Sequence, residues 1–221
     1  MFYFTKIFKY LILLLMSIVM SQAEEYNYHL FYQGVPGGHA VMKFTKNDSI
    51  ATLELSLQTN KFFDKFYKIR DTITVISDSD NYHLQSLKKV LNEGKYHKKV
   101  ILNVSEINRD SLKNPIQDEY CGIMMLMDER NYARSELSLN LWEKGREVPF
   151  RLVKKQVEKI NIDNKMLRSI LYAPDLKSLQ ALGKDKTSIS VWMSQPRPSV
   201  PLKIRLDMKR GALVLKLSGQ P

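Results

Sequence analysis

The sequence predicts a mainly β protein: a single antiparallel curved sheet or half-barrel of about a dozen strands, with one central helix over residues 118–130. Three observations carry this. First, in residues 201–209, Leu202, Ile204, Leu206 and Met208 alternate with Lys203, Arg205, Asp207 and Lys209. A period of two puts one face on a core and one in water. Gly211 interrupts the run, and Leu213, Leu215 and Leu217 resume the oily face. Second, similar short alternations recur along the chain between turn-forming residues. Third, one segment has a convincing helical period.

The first strand is expected over 26–32, with Tyr26, Tyr28, Leu30 and Tyr32 on one face. Residues 34–38 read as a turn because they hold three glycines and Pro36. Ala40, Met42 and Phe44 share a face of the next strand, and Leu53, Leu55 and Leu57 a face of the third. Phe62, Phe63, Phe66 and Tyr67 break the alternation and predict a short helix or an aromatic-rich crossing over 60–70. Residues 72–76 are β-branched and return to strand. Residues 82–91 and 95–104 form a hairpin around Asn92-Glu93-Gly94.

In the helix, Asp118 caps the start, and Tyr120, Ile123, Met124 and Met127 make one apolar stripe. Arg130 suits the negative end of the helix dipole. Strands follow over 137–142, 148–154, 156–163 and 165–173. Residues 174–186 read as a loop, and 187–194, 201–209 and 211–218 close the chain.

The 221 residues carry a net charge of +11. The first 23 residues read as a signal peptide. Lys6 and Lys9 precede an apolar run, and Ser21-Gln22-Ala23 fits the small-x-small cleavage rule. The run over 10–20 falls short of the about 20 residues that span a bilayer. Residues 24–221 then form one β-rich domain, exported and periplasmic, with no transmembrane segment once the leader is removed. The remaining positive charge favours anionic surfaces, either lipid or an anionic envelope glycan. Export argues against nucleic acid. Cys121 is the sole cysteine, so no disulfide forms within the chain, and it reads as a small core residue.

No catalytic, cofactor or metal motif stands out. His29, His39, His83 and His97 lie at no spacing that presents two imidazoles together. Ser86-Leu87-Lys88-Lys89 matches a serine–lysine motif, but in a strand the two side chains point to opposite faces. Asp78-Ser79-Asp80-Asn81 lacks the glycine and glutamate of a calcium loop and reads as an Asx turn. Two weaker candidates remain. Phe62, Phe66, Tyr120, Met124 and Met127 are candidate lining of a ligand cavity, or else core filling. Lys88, Lys95 and Lys99 cluster at one hairpin as a candidate anion site, or else as lysines that guard a sheet edge.

Several stretches together resemble the bacterial exported domain-of-unknown-function family numbered 3108. They are Tyr32-Gln33-Gly34 through His39-Ala40, Phe66-Tyr67-Lys68-Ile69-Arg70-Asp71, Glu93-Gly94-Lys95-Tyr96, Gln117-Asp118 with the helix after it, and Val191-Trp192-Met193-Ser194 with Val200-Pro201-Leu202-Lys203-Ile204. Where such chains carry acids before the proline, this one has Gln195-Pro196-Arg197-Pro198. The resemblance implies a bacterial envelope protein of β-barrel-like form and implies no reaction.

The expected function is a non-catalytic envelope protein that binds an amphiphilic or apolar ligand, or a protein partner, in the curved sheet. The alternatives are an assembly factor acting through a basic surface without a cavity and, last, a hydrolase. The leader makes a direct prediction. Intact-mass measurement of protein from the envelope fraction gives a chain beginning at Glu24, and a mature chain beginning at Met1 excludes the signal peptide.

Overall fold

The computed structural model describes residues 22–107, 112–183, 188–208 and 211–219. Most of the expected leader therefore lies outside the described residues, as do Lys209 and residues 184–187. The strands are β1 (Gln22–Tyr32), β2 (Val35–Lys46), β3 (Ile50–Thr59), β4 (Arg70–Asp78), β5 (Leu84–Glu93), β6 (Tyr96–Asn103), β7 (Glu136–Glu143), β8 (Arg146–Ile162), β9 (Lys165–Pro174), β10 (Ser188–Ser194), β11 (Pro201–Met208) and β12 (Gly211–Leu217). Helix α1 (Glu119–Met127) lies between β6 and β7, and α2 (Leu176–Leu182) between β9 and β10.

All twelve strands form one sheet in the order β6-β5-β4-β3-β2-β1-β12-β11-β10-β9-β8-β7. Every pairing is antiparallel. The chain starts mid-sheet, walks out to β6, crosses to the far edge at β7 and walks back until β12 pairs with β1. Tyr28 faces Leu217, and Leu30 faces Leu215. The crossing ties the start of β5 to the far edge strand β7. Leu84 N–H donates to Ile116 C=O at 2.8 Å, and Gln117 N–H donates to Asn140 C=O at 2.8 Å.

The alternations land as expected. Leu53, Leu55, Leu57, Leu202, Ile204, Leu213, Leu215 and Leu217 are all buried in one core. Oily positions on one face of a sheet this wide are removed from water only when the sheet curls over them.

Several local expectations are corrected. Gln33-Gly34 alone make the first turn, and β2 begins at Val35. Gly38 sits within β2, so close to β3 that an added Cβ would lie 2.1 Å from the Gln58 carbonyl oxygen. Residues 148–154 and 156–163 are one strand, β8, with a register shift between Lys154 and Gln156. A bulge absorbs one residue and lets the oily face resume. The expected loop 174–186 contains α2, which Asp175 caps by accepting from Ser178 N–H at 2.8 Å.

The helix is shorter than 118–130. Asp118 is its cap, accepting from Tyr120 N–H at 3.0 Å, while Cys121 Sγ accepts from Asp118 N–H. Asp128 ends it, and residues 129–131 form a separate 3-10 turn. The expected stripe is also too narrow. Cys121, Gly122, Ile123, Met124, Leu126 and Met127 are all buried, because α1 lies inside the curl with sheet on several sides. Gly122 makes this possible: a Cβ there would stand 3.0 Å from methyls of Leu139 and Leu152. Arg130 serves Asp128 rather than a helix dipole. The Asp128 carboxylate accepts from Arg130 Nη2 at 2.6 Å, Lys46 Nζ at 2.8 Å and the Tyr82 hydroxyl at 2.8 Å. Burial opposes its charge, but these donors hold it well below the usual carboxylate range.

The outward face of the closing strands is less bare than alternation implies. Lys203 Nζ lies 3.8 Å from the centroid of the Trp192 ring, and Trp192 Nε1 donates to Glu158 at 2.6 Å. These faces predict unequal costs. Ile204→Asp buries an unpaired carboxylate and costs on the order of 4 kcal/mol or more. Lys203→Asp forfeits the stacking on Trp192, about 1 kcal/mol. Thermal melts of the two variants check this, and equal losses would mean the two faces are misassigned.

Candidate functional site

The curl is filled unevenly. Its lower half holds α1. Its upper half, toward the turn at 33–34, the crossing at 60–69 and the turn at 94–95, is a cavity of about 540 Å³. Leu57 ends β3, Ile73 begins β4, and Ile189, Leu206 and Leu213 stand at the near ends of β10, β11 and β12; these make its apolar walls. Asp71, Lys89, Leu91, Glu93, Tyr96 and Lys98 of β4, β5 and β6 line the other side, and Glu119 and Tyr120 at the first turn of α1 form the floor. Glu119 and Tyr120 are only half-buried, because they face this space.

The charged residues enter by register. In β5, Leu87, Lys89 and Leu91 occupy successive inward positions, as do Asp71, Ile73 and Val75 in β4. Lys89 Nζ lies 3.0 Å from Asp118 Oδ2 and 5.0 Å from the Tyr120 ring centroid. Burial works against its charge, but Asp118, Tyr120 and Glu119 outweigh it and hold Lys89 above its ordinary value. Lys89 is thus committed to the helix cap.

The acids are in the opposite condition. Burial first, then the Glu93 carboxyl beside it, pushes Asp71 up to about 6, although Asn92 N–H donates to it at 2.8 Å. Burial and the neighbouring Asp118 push Glu119 up to about 7, against the pull of Lys89. Tyr120 is also raised, chiefly by burial. The cavity therefore carries two carboxyls that exchange protons near neutrality, facing a wall of leucine and isoleucine. Such a site accepts a cation or a hydrogen-bond donor at one side and a hydrocarbon at the other.

Of the residues expected to line a cavity, only Tyr120 does so here. Met124 and Met127 are packed into the core at 0% and 7% exposure. Phe62 and Phe66 stand in solvent at 62% and 74% exposure on the crossing between β3 and β4. Alternation cannot place them, because that crossing runs outside the sheet. The lysines expected to bind an anion do not converge. Lys88 and Lys99 are exposed on the outer face of the β5–β6 hairpin, and Lys95 is exposed in its turn. Their neighbours Lys89 and Lys98 are the lysines on the cavity side. The signal missed in the sequence was a charge at an inward strand position: Asp71 in line with Ile73, and Lys89 between Leu87 and Leu91.

Among the described residues, the lining contains no histidine, serine or cysteine. Among the described residues, no group of three or more His, Cys, Asp or Glu could hold a metal ion. Ser86 and Lys89 lie on opposite faces of β5. Asp78 makes the expected Asx turn, accepting from Asn81 N–H at 2.7 Å and Asp80 N–H at 3.1 Å. No described helix is long and apolar enough to cross a membrane.

Comparison with curated proteins gives no match. Among solved structures, the chain is similar to the crystal structure of a β-barrel-like protein of domain of unknown function DUF1849 from Brucella abortus. The two are 11% identical, the similarity covers 91% of this chain and 97% of that one, and the TM-score is 0.48. The family described as "Protein of unknown function (DUF3108)" matches residues 26–218, nearly the whole of the β domain, and the chain belongs to that family.

Proposed function

We propose that the chain is an exported, periplasmic envelope protein that binds an amphiphile without catalysis. The ligand's hydrocarbon lies against Ile189, Leu206 and Leu213, and its donor-bearing head, ammonium or hydroxyl, meets Asp71, Glu93 and Glu119. One observation carries this reading: a cavity of about 540 Å³ with an apolar wall facing carboxyls of raised pKa. That volume falls within the range of small-molecule sites. It favours ligand binding over an assembly role, which would leave the interior filled. The leader-like first 23 residues support export.

The head group follows from the charges. The cavity presents three carboxyls against Lys89, already engaged by Asp118, and Lys98. A fatty-acid carboxylate placed beside Asp71 and Glu119 meets like charge, whereas an ammonium replaces the protons these acids otherwise take up. Calorimetry with dodecylamine and dodecanoate tests this. Amine affinity rises about tenfold from pH 5 to pH 8, as Asp71 and Glu119 ionise. Glu119→Gln reduces that rise. Leu206→Trp fills the space and weakens amine binding at least about tenfold. Tighter binding of dodecanoate at pH 8, or indifference to Leu206→Trp, overturns the proposal.

The same carboxyls set a stability trend without ligand. A carboxyl whose pKa is raised by folding stabilises the protein below its unfolded value, near 4, and loses that contribution as pH rises through the folded value. The windows end near 6 for Asp71 and near 7 for Glu119. Glu119→Gln therefore melts like wild type near pH 4 and higher than wild type at pH 8, by roughly 5 °C. Asp128, with its depressed pKa, acts at the acid end in both proteins. Parallel melting curves from pH 4 to 8 would show that Glu119 is not held protonated by the fold.

A further inference from the structure

The crossing between β3 and β4 holds two phenylalanines in water on a rigid support. Phe62 and Phe66 are 62% and 74% exposed, with ring centroids 5.5 Å apart in an edge-on arrangement. Their backbone is pinned on three sides. Asn60 N–H donates to Gly37 C=O at 2.8 Å in β2, and Asn60 Oδ1 accepts from Phe63 N–H at 2.9 Å. Gly94 N–H, in the β5–β6 turn, donates to Lys68 C=O at 2.7 Å. Arg70 Nη2 pairs with Asp64 at 2.6 Å, and the Thr59 hydroxyl also donates to that carboxylate. Phe63 is turned inward, toward Gly37 and Leu30. The fold thus spends one ring on anchoring the crossing and leaves the other two outside.

The exposed charges around these rings are mostly positive. Lys61, Lys65, Lys68 and Lys95 are exposed. The nearby acids are already engaged, Asp64 by Arg70 and Glu93 by the Tyr67 hydroxyl at 2.9 Å. Tyr67, Val35 and Tyr96, at 43%, 50% and 50% exposure, extend the apolar area across the same end of the sheet. That end is the one into which the cavity reaches: Glu93 and Tyr96 belong both to the lining and to this rim.

We propose that this rim is a membrane-docking surface for an anionic phospholipid bilayer. Phe62 and Phe66 enter the headgroup–acyl boundary, and Lys61, Lys65, Lys68 and Lys95 meet lipid phosphates. Aromatic rings flanked by lysines suit that boundary: the rings leave water, while the cations stay in it beside negative charge. Rigid presentation lowers the ordering cost of insertion. Docking here sets the cavity end against the bilayer, so an amphiphile passes between lipid and protein without crossing bulk water. This last step rests on the proposed ligand; the docking does not.

Co-sedimentation with vesicles tests the surface. The mature protein binds vesicles containing phosphatidylglycerol and not vesicles of phosphatidylcholine alone, and added salt weakens the binding. Phe62→Ser with Phe66→Ser lowers the partition coefficient at least about tenfold. Lys65→Glu with Lys68→Glu does so on phosphatidylglycerol, by a similar factor. Both double variants keep the wild-type melting temperature, since the four side chains are exposed. Leu206→Trp binds vesicles like wild type, which separates failure of the cavity reading from failure of this one. Equal binding to both vesicle types, or double variants that bind like wild type, overturns the docking surface. So does a concentration-dependent dimer that Phe62→Ser with Phe66→Ser dissolves, since the rings would then be a contact between two copies.

Discussion

The pairing of β1 with β12 is the interaction on which the rest of the structure depends. It joins two six-stranded meanders, one from each half of the chain, into a single sheet. Each meander alone has an oily face too wide to leave in water and no partner layer to cover it. Joined through Tyr28, Leu30, Leu215 and Leu217, they curl toward each other and share one interior. The connection from β6 to β7 then runs close enough for Ile116 to bond the start of β5 and Gln117 to bond β7. Unpaired strand edges invite association with other chains, and the bridge of Gln117 to β7 covers part of that edge.

The same closure explains why the interior is only half filled. A twelve-stranded curl encloses more space than its inward side chains occupy. The segment that must cross from β6 to β7 supplies the missing volume as α1, nine residues long and buried almost all round. Nine helical residues span roughly 14 Å. The helix packs the lower half with Met124, Leu126 and Met127 and ends its reach at Glu119 and Tyr120. Above them the walls have no partner, and the cavity is what the helix does not fill. Its polar side follows from the cap: Asp118 holds Lys89, while burial pushes Asp71 and Glu119 up until they take up protons near neutral pH.

The two ends of the curl are therefore chemically different. The lower end is locked by Asp128, which gathers Lys46, Tyr82 and Arg130 at the end of α1. The upper end has the cavity, exposed aromatics and uncommitted lysines. The cavity and the proposed docking rim thus share one end of the curl, and the Asp128 cluster lies at the other.

Alternation in the sequence by itself determined most of the strands, their inward faces and the mainly β class, because the period of two is a property of each strand and needs no partner. The helix was legible for a similar reason, from the Asp118 cap and its apolar residues, although its end at Asp128 was not. There Asp128 turns extended and its carboxylate accepts from Lys46, Tyr82 and Arg130. Family membership was also readable, from short motifs in a fixed order. Tertiary structure decided the remainder. Whether Met124 faced a cavity or filled one depended on how far α1 reaches into the curl. Which lysine of the β5–β6 hairpin served the interior depended on register, and a shift of one residue exchanges Lys88 for Lys89. The Phe62 and Phe66 rings could be placed only by their surroundings, since a crossing outside the sheet has no periodicity, and the hydrogen bonds that hold it come from β2, β4 and the β5–β6 turn.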